Sequence, residues 1–368
     1  MSDANERLMS GASWNEFCDT LRTAGNVILS RSAPADPLTR AEGFRYLGRL
    51  VRAGLEAFME RADPLRPALF RPVHETIKMG ADNPDNHYQW ACVQSDHTYR
   101  IRGRRGTISY LGLGTYAGFF GAGGRWAQTG FLESWELDIE PDGTFEIIVS
   151  RERPAEAANW LPMEPDTSSL IVRQTFLDRA HEQVAELQLE RIDGEPGPTP
   201  LTPARVDEAL TSASRLVVGA AMMFASWAQG FATRPNELPR FEQTSGMAAH
   251  GDPNIVYHHG YFQLGPDEAL VVETTPPPCE YWNFQLGNHW MESLDYVSHR
   301  VAINKHEAAL EPDGSVRIVV SHEPIPGVRN RLETAGHARG TMCLRWMRAE
   351  HHPEPVCRVV SSRDLANG

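Results

Sequence analysis

The chain contains one thirteen-residue phrase twice, and this internal duplication limits the folds it can adopt more than any other feature. Residues 140–152 read EPDGTFEIIVSRE and residues 311–323 read EPDGSVRIVVSHE, so eight of the thirteen positions are identical at an offset of 171. Asn159 and Asn330 are related by the same offset. The repeat is far longer than the roughly 20 to 50 residues of a solenoid repeat, and it therefore indicates two domain-sized copies.

The repeated phrase predicts a turn followed by a strand. In EPDG, proline restricts φ, the aspartate side chain can hydrogen bond to the turn backbone, and glycine accepts a positive φ. The residues that follow alternate between two faces of a strand. In the second copy, one face carries Val316, Ile318, Val320 and His322. Arg151 takes the place of His322 in the first copy, so the apolar stripe ends in a different basic residue in each copy.

The hydrophobic pattern predicts the fold class. From about Asn83 to Ile192, and again from about Asn254 to Val360, short runs rich in Val, Ile, Tyr, Phe and Trp alternate with Gly, Pro, Asp and Asn, as in antiparallel sheets. We therefore expect a mainly β protein with helices, made of two related β-sandwich or jelly-roll-like units that helices join and flank. The predicted segments are an N-terminal helical segment at 1–82, a first β unit at 83–192, a linker and helix at 193–250, and a second β unit at 251–368.

Two pairs of residues predict where helices begin. Asp36-Pro37 precedes apolar residues at three-to-four spacing, and Thr202-Pro203 opens a second helical stretch. Threonine is a good N-cap, and proline suits the first turn of a helix. We expect the second helix to run through Trp227, about five to seven turns, with its apolar side buried.

The composition is that of a globular protein and excludes some classes of partner. Hydrophobic residues make up 41% of the chain and charged residues 23%, which indicates a substantial core. A formal net charge of −13 repels phosphate backbones, so we expect no nucleic-acid partner. The longest apolar run, around Leu216 to Ala225, is too short to span a bilayer, so we expect no membrane partner.

The cysteines and the N-terminal residues predict a cytoplasmic protein. The five cysteines are widely spaced and form no CxxC pair, which is typical of free thiols in a reducing compartment. The N-terminus has no basic region followed by an apolar one, so no signal peptide is expected.

Short segments in both copies carry a family resemblance. They are YWNFQL at 281–286, DGSVRIVVSHEPIPG at 313–327, NWLP at 159–162 and SSLIVRQTF at 168–176. With these segments the chain resembles the family named domain of unknown function 1214. Residues 330–333 read NRLE and depart from the closing segment of that family. Residues 39–56 are similar to helices that accompany the family or its frequent partner, domain of unknown function 1254. The resemblance implies a β-sandwich of jelly-roll type and brings no established catalytic residues.

Histidines are concentrated in the second copy, where they suggest a catalytic site. Ten of the fourteen histidines lie at or after residue 250. Histidine beside a carboxylate can transfer protons near neutral pH. The candidate catalytic residues are His322, His258, His289 and Glu323.

Polar and aromatic residues on two predicted strands of the second copy suggest a ligand site. Within IVYHHGYFQL and EYWNFQLGNHW, such residues alternate with apolar ones, a combination that small-molecule sites need. The candidate ligand-binding residues are Tyr281, Trp282, Asn283, Gln285 and Tyr261.

The sequence predicts no metal and no other cofactor. It contains no HExxH motif, no CxxC pair and no GxGxxG loop. Adjacent histidines such as His258 and His259 point to opposite faces of a strand, so they cannot both bind one ion. Whether His258, His289, His322 and Glu323 meet around a metal depends on the tertiary structure.

Several functions remain open from the residues alone. The first is an enzyme that acts on a small, partly apolar organic molecule by His/Glu acid–base chemistry, through hydrolysis or elimination, in the C-terminal unit. The second is a non-catalytic protein that binds a small molecule or a carbohydrate. The third is an interaction protein whose duplicated sandwiches form a homodimer. Convergence of His258, His289, His322 and Tyr281 on one place would favour the first.

Overall fold

The computed structural model shows a chain that forms two compact units, and the predicted mainly β fold class is confirmed. It describes residues 4–119, 121, 125–195, 197, 199–248 and 250–367. The first unit comprises the residues up to Asn26, Leu47–Ile77 and Asp85–Ala220. The second unit comprises Val27–Tyr46, Lys78–Pro84 and the chain from Ala221 onwards. The segments predicted at 1–82 and 193–250 therefore contribute residues to both units.

Helices precede each set of strands, and a short helix follows the last strand. They are α1 Ala4–Met9, α2 Ala12–Ile28, α3 Pro37–Leu55 with a π-helical turn at Glu56–Glu60, α4 Pro203–Phe231, α5 Gln243–Ala248 and α6 Ser362–Asn367. Both predicted helix starts are confirmed. The backbone N–H of Thr39 donates to Asp36 Oδ1 at 2.9 Å, and the N–H of Arg205 donates to Thr202 Oγ1 at 3.3 Å. Each side chain thus accepts from a backbone donor that the first helical turn leaves unpaired.

The long helix α4 extends further than predicted. Its 29 residues make about eight turns, because the helix continues to Phe231, whose ring stacks on His259 with the centroids 5.3 Å apart. Its buried apolar residues include Leu210, Leu216, Val217, Ala220 and Phe224. By length and composition alone α4 could cross a membrane, but 56% of its most apolar stretch is buried inside the protein, and core helices pass the same test.

The first unit is a sandwich of two sheets. Its strands are β1 Asn86–Cys92, β2 Tyr99–Arg104, β3 Tyr110–Ala117, β4 Ala127–Glu133, β5 Thr144–Ser150, β6 Asn159–Pro162, β7 Thr167–Thr175 and β8 Glu186–Arg191. The hydrogen-bonded orders are β1-β7-β3-β4 and β6-β5-β2-β8. Both sheets contribute to one hydrophobic core, which includes Ile101 of β2, Leu113 of β3 and Ile147 of β5.

The second unit repeats this topology strand for strand. Its strands are β9 Ile255–Gln263, β10 Glu268–Thr274, β11 Tyr281–Gly287, β12 Ala302–Asn304, β13 Val316–Ser321, β14 Arg331–Glu333, β15 Arg339–Met347 and β16 Val356–Ser361. The orders are β9-β15-β11-β12 and β14-β13-β10-β16, which match the first unit when eight is subtracted from each strand number. The prediction of two related sandwiches is therefore confirmed.

The duplicated asparagines make the same three hydrogen bonds in each unit. Asn159 Oδ1 accepts the N–H of Asp138 at 2.7 Å, and its Nδ2 donates to the carbonyls of Asp138 and Glu146, both at 2.9 Å. Asn330 makes the corresponding bonds, of 2.7 to 3.1 Å, to partners 171 positions further along the chain. Both asparagines are buried. The duplicated asparagine is thus explained by the architecture of the sandwich.

The position at which the repeated phrase changes from arginine to histidine has different surroundings in the two units. The Arg151 side chain is 51% exposed and approaches Asp96 only to 4.0 Å. His322 is partly buried directly after β13, and its Nδ1 lies 2.9 Å from Thr334 Oγ1. The histidine therefore lies just beyond the end of β13, at the edge of the β14-β13-β10-β16 sheet of the second unit.

Candidate functional site

One face of the β9-β15-β11-β12 sheet carries polar and aromatic side chains, and we call it the polar face. Its residues are Tyr257, His259 and Tyr261 of β9, Tyr281, Asn283 and Gln285 of β11, and Arg339, Thr341, Cys343 and Arg345 of β15. The alternate residues, such as Trp282 and Phe284, lie in the hydrophobic core, as strand geometry requires. On β15 this face is buried from Arg345 to Thr341, whereas Arg339 and its cross-strand partner Gln263 are exposed.

At the inner end of the polar face, Arg345 binds candidate residues of β11. Its Nη1 donates to Gln285 Oε1 at 2.6 Å and to Asn283 Oδ1 at 3.2 Å, and its Nη2 donates to the carbonyl of Ala81. Arg345 is only 4% exposed. A buried guanidinium is tolerated only when acceptors replace its lost hydration. The two amide side chains therefore stabilise this arginine.

The segment Lys78–Pro84 covers this end of the polar face with its own polar groups. Asn83 Nδ2 donates to the Tyr281 hydroxyl at 3.1 Å, and Asn283 Nδ2 donates to Asn83 Oδ1 at 3.0 Å. Gln285 Nε2 donates to a backbone carbonyl of the same segment at 2.8 Å. Three of the candidate ligand-binding residues thus hydrogen bond to the protein itself, which favours a structural role for them.

A buried carboxylate anchors the covering segment. Asp82 Oδ2 accepts the Ser293 hydroxyl at 2.7 Å, and Oδ1 accepts the Ser293 N–H at 2.9 Å. Burial raises the pKa of Asp82, and the positive charge of Lys78 opposes this only in part. Lys78 Nζ in turn donates to the carbonyls of Ser293 and Leu294, at 2.9 and 2.8 Å. These contacts hold the segment against the turn that follows β11.

His259 occupies the middle of the polar face inside a group of aromatic rings. Its ring lies parallel to those of Phe231 and Tyr257, with centroid distances of 5.3 and 5.9 Å, and Phe241 meets it edge-on at 5.0 Å. Burial, with a smaller effect from the charge of Arg345, lowers the pKa of His259 to about 3. The folded protein therefore keeps this imidazole neutral.

We expect His259 to make the protein sensitive to acid. A histidine in the unfolded chain has a pKa of about 6.5. Between about pH 6 and pH 4 the unfolded chain therefore binds a proton at this residue, and the folded protein does not. The contribution of His259 to the free energy of unfolding is therefore complete above about pH 6.5. It falls by about 1.4 kcal/mol per pH unit as the pH is lowered towards 3. Urea denaturation at a series of pH values from 7 to 4 measures the free energy of unfolding. Its slope against pH should be smaller in His259→Gln than in the wild type by about 1.4 kcal/mol per pH unit. Equal slopes in the two proteins would contradict the assignment.

At the outer end of the polar face, Tyr261 and His289 form a buried pair. The Tyr261 hydroxyl and His289 Nδ1 are 3.0 Å apart, and the His289 ring meets those of Tyr261 and Trp290 nearly at right angles. His289 is 3% exposed, and its Nε2 has no hydrogen-bond partner among the described residues. Burial, reinforced by the charge of Arg339, lowers the pKa of His289 to about 4. The neutral ring therefore has one buried nitrogen, Nε2, without a hydrogen-bond partner among the described residues.

A histidine–carboxylate pair links α3 to the start of β15. His337 Nε2 lies 3.1 Å from Glu42 Oε1, and the two side chains are 12% and 9% exposed. The contact is an ion pair rather than a well-aligned hydrogen bond. Burial disfavours the charged imidazole, but the Glu42 carboxylate and the backbone carbonyls of Thr334 and Ala335 together outweigh it, so the pKa of His337 is raised.

The helix α3 contacts Trp290, next to His289, and also His337. Trp290, which follows His289, donates its Nε1–H to the carbonyl of Thr39 at 2.8 Å. Thr39 and Glu42 are three residues apart and therefore lie on the same side of the helix. Glu42 carries the contact to His337. We define the His289 cluster as Tyr261, His289, Glu42, His337 and Arg339.

The remaining candidates are not members of the His289 cluster, although His322 contacts the hydroxyl of Thr334, whose carbonyl lies 2.9 Å from His337 Nδ1. His258 points to the core side of β9, with its Nδ1 3.3 Å from the carbonyl of Leu238. His322 and the exposed Glu323 follow β13 in the other sheet, and Trp282 belongs to the core. Within the described ranges, no group of three or more His, Cys, Asp or Glu side chains is placed to hold a metal ion.

The sequence patterns did not predict Glu42, His337, Arg339 or Arg345 as site residues. Glu42 and His337 lie in chain segments far apart in sequence, so no local motif connects them. His337 belongs to the histidine-rich half of the chain, which was the available signal. Arg339 and Arg345 share the odd-numbered face of β15, and the alternation of a correctly aligned strand would have placed them beside Tyr261 and Asn283.

A family model and solved structures match this chain. A family model described as "Protein of unknown function (DUF1214)" matches residues 126–175 and 267–351, which contain β4–β7 and β10–β15. The crystal structure of an uncharacterised protein from Burkholderia cenocepacia has 47% sequence identity and a TM-score of 0.95, and the match covers 99% of this chain and 100% of that chain.

A more distant structure shares the fold alone. The crystal structure of a protein from Vibrio parahaemolyticus has 12% identity and a TM-score of 0.50, and the match covers 86% of this chain and 98% of that one. No curated protein matches the chain. The family model matches corresponding strands in both sandwiches, and the Burkholderia relative matches the full length. The chain therefore belongs to the DUF1214 family of proteins of unknown function.

Proposed function

We propose that this protein is an enzyme that acts on a small, partly apolar organic molecule by acid–base chemistry at the His289 cluster. The observation that carries the proposal is a pair of histidines whose surroundings move their pKa values in opposite directions. Burial keeps His289 neutral, whereas Glu42 helps His337 to retain a proton. Titratable groups whose pKa values are shifted in opposite directions are typical of the acid and the base of an active site.

His289 supplies a hydrogen-bond donor in this mechanism. Burial raises the pKa of Tyr261, so its hydroxyl stays protonated and donates to His289 Nδ1. The proton of the neutral imidazole then lies on Nε2, the nitrogen that has no partner among the described residues. A neutral imidazole N–H of this kind polarises a carbonyl oxygen of the substrate.

His337 and Glu42 supply the proton transfer. Proton transfer uses His337 Nε2 in this mechanism, because Nδ1 donates to the Thr334 carbonyl at 2.9 Å. With Nε2 protonated, His337 can donate to a leaving group, and with Nε2 deprotonated it can accept a proton from water or from a carbon next to a carbonyl. Glu42 stabilises the imidazolium that forms in the second case. Together with a polarised carbonyl, this chemistry supports hydrolysis of an ester or amide, or elimination from a β-substituted carbonyl compound.

We expect His289→Gln and His337→Gln each to lower turnover about 100-fold or more, because a positioned acid–base group contributes about 10²–10⁴-fold. Product formation is measured by proton NMR with a panel of small esters, amides and β-hydroxy carbonyl compounds that carry apolar groups. His351→Gln is the matched control, since His351 is an exposed histidine of the same unit, and it should keep the wild-type rate.

Three outcomes would contradict the proposal. Turnover that neither substitution changes would locate the chemistry elsewhere. Saturable binding of panel compounds without turnover would favour a non-catalytic protein that binds small molecules or carbohydrates. A panel that the protein neither binds nor converts would remove the basis for an active site at the His289 cluster.

A further inference from the structure

We propose that the molecule bound at the His289 cluster carries a carboxylate group, and that Arg339 binds this group. The inference rests on the proposed function, because it names the substrate class of the same site. The carboxylate would lie at the exposed edge of the polar face, and the rest of the molecule would extend towards His289 Nε2.

The position of Arg339 on β15 brings it beside the Tyr261–His289 pair. Arg339 pairs with Gln263 across the sheet, and Thr341, two residues further along β15, pairs with Tyr261. Arg339 is therefore the diagonal neighbour of Tyr261 on the polar face, about 7–8 Å away and within reach of a long side chain. Because Arg339 is exposed, a ligand from solvent meets it first.

The Arg339 guanidinium has unused hydrogen-bonding capacity. It forms no ion pair and no side-chain hydrogen bond with any described residue. The nearby Asp36 carboxylate instead accepts the N–H and the hydroxyl of Thr39, at 2.9 and 2.8 Å. Arg345, at the other end of the same strand, differs from Arg339 in this respect, because its guanidinium donates to acceptors within the protein. The donors of Arg339 therefore remain for a ligand.

The charges around His289 favour an anion. Arg339 and Arg40 both place positive charge near the ring, and Asp36 opposes them. This local excess occurs in a chain of formal net charge −13. An arginine binds a carboxylate with two parallel N–H···O bonds, which one free guanidinium can supply. A phosphate dianion needs more donors than this, so the geometry favours the carboxylate.

The test uses matched pairs of carboxylates and amides: benzoate and benzamide, phenylacetate and phenylacetamide, and hexanoate and hexanamide. Each compound is titrated into the full-length protein while the histidine side-chain NMR signals are followed. We expect at least one carboxylate to shift the His289 signal and to bind about tenfold or more tightly than its amide. Arg339→Gln should remove this preference, and Arg339→Lys should restore part of it. Arg300→Gln, at an exposed arginine of the same unit, is the control and should change nothing.

Each opposing outcome has a definite meaning. If no carboxylate shifts the His289 signal, or if the preference persists in Arg339→Gln, the inference is wrong. Tighter binding of phenyl phosphate than of benzoate would show that the site prefers a phosphate group to a carboxylate, and the inference would be wrong. Arg339-dependent carboxylate binding without turnover would support this inference while contradicting the enzyme. Turnover of neutral esters that depends on His289 but not on Arg339 would support the enzyme and contradict the carboxylate inference.

Discussion

Replacement of Arg345 by methionine is expected to lower the free energy of unfolding by about 3–5 kcal/mol. The substitution removes the Arg345 donors from the buried carbonyl oxygens of Asn283, Gln285 and Ala81. Among the side-chain donors of the described residues, Gln285 Oε1 then keeps only a long contact of 3.4 Å to Asn283 Nδ2. Each buried group left unpaired costs about 1–3 kcal/mol, and a network loses more than its separate bonds because the bonds polarise one another. Urea denaturation followed by circular dichroism measures the change.

An arginine in an ion pair at the surface provides the control for this measurement. Arg358 on β16 pairs with Glu273, and its side chain is 45% exposed. Arg358→Met should cost at most about 1 kcal/mol, because solvent screens exposed ion pairs. A similar small loss in Arg345→Met would show that water enters the polar face and satisfies the abandoned acceptors.

We expect Asn159→Ala and Asn330→Ala to destabilise the protein by about 3 kcal/mol each and by nearly equal amounts. Each substitution removes three hydrogen bonds to the backbone, and both asparagines are buried. One N–H and two carbonyl groups then lose their partner, at about 1–3 kcal/mol for each group that water does not reach. Differential scanning calorimetry of the two variants and of the double variant measures the effect.

The repeated turns supply a matched pair of controls for the asparagines. Asp142 accepts the N–H of Thr144 at 3.0 Å, and Asp313 accepts the N–H of Ser315 at 2.9 Å. Both aspartates are exposed, so alanine at either position should have a much smaller effect than alanine at Asn159 or Asn330. A large loss from one asparagine with little from the other would contradict structural equivalence of the two sandwiches at this position.

Much of the fold could be predicted from the sequence because it depends on local rules. The offset of 171 predicted two related sandwiches, and the repeated EPDG predicted a turn before β5 and before β13. The alternation of β11 predicted that Tyr281, Asn283 and Gln285 share one face, and the structure has them so. Successive side chains of any strand point to opposite sides, so this information is present in a few adjacent residues.

The composition of the candidate site was decided by tertiary structure. Alternation assigns residues to a face, but it does not say which chain segment covers that face. Lys78–Pro84 covers the inner end and pairs with Asn283 and Gln285, so residues that the sequence suggested for ligand binding are hydrogen bonded within the protein.

At the outer end, α3 supplies Glu42 to His337, and the register of β15 with β9 brings Arg339 beside Tyr261. The sequence by itself therefore determined the duplicated sandwich and the faces of its strands. The tertiary structure alone decided which histidine stays neutral and which gains a carboxylate. The reason is physical: burial and neighbouring charge set these properties, and the groups responsible come from distant parts of the chain.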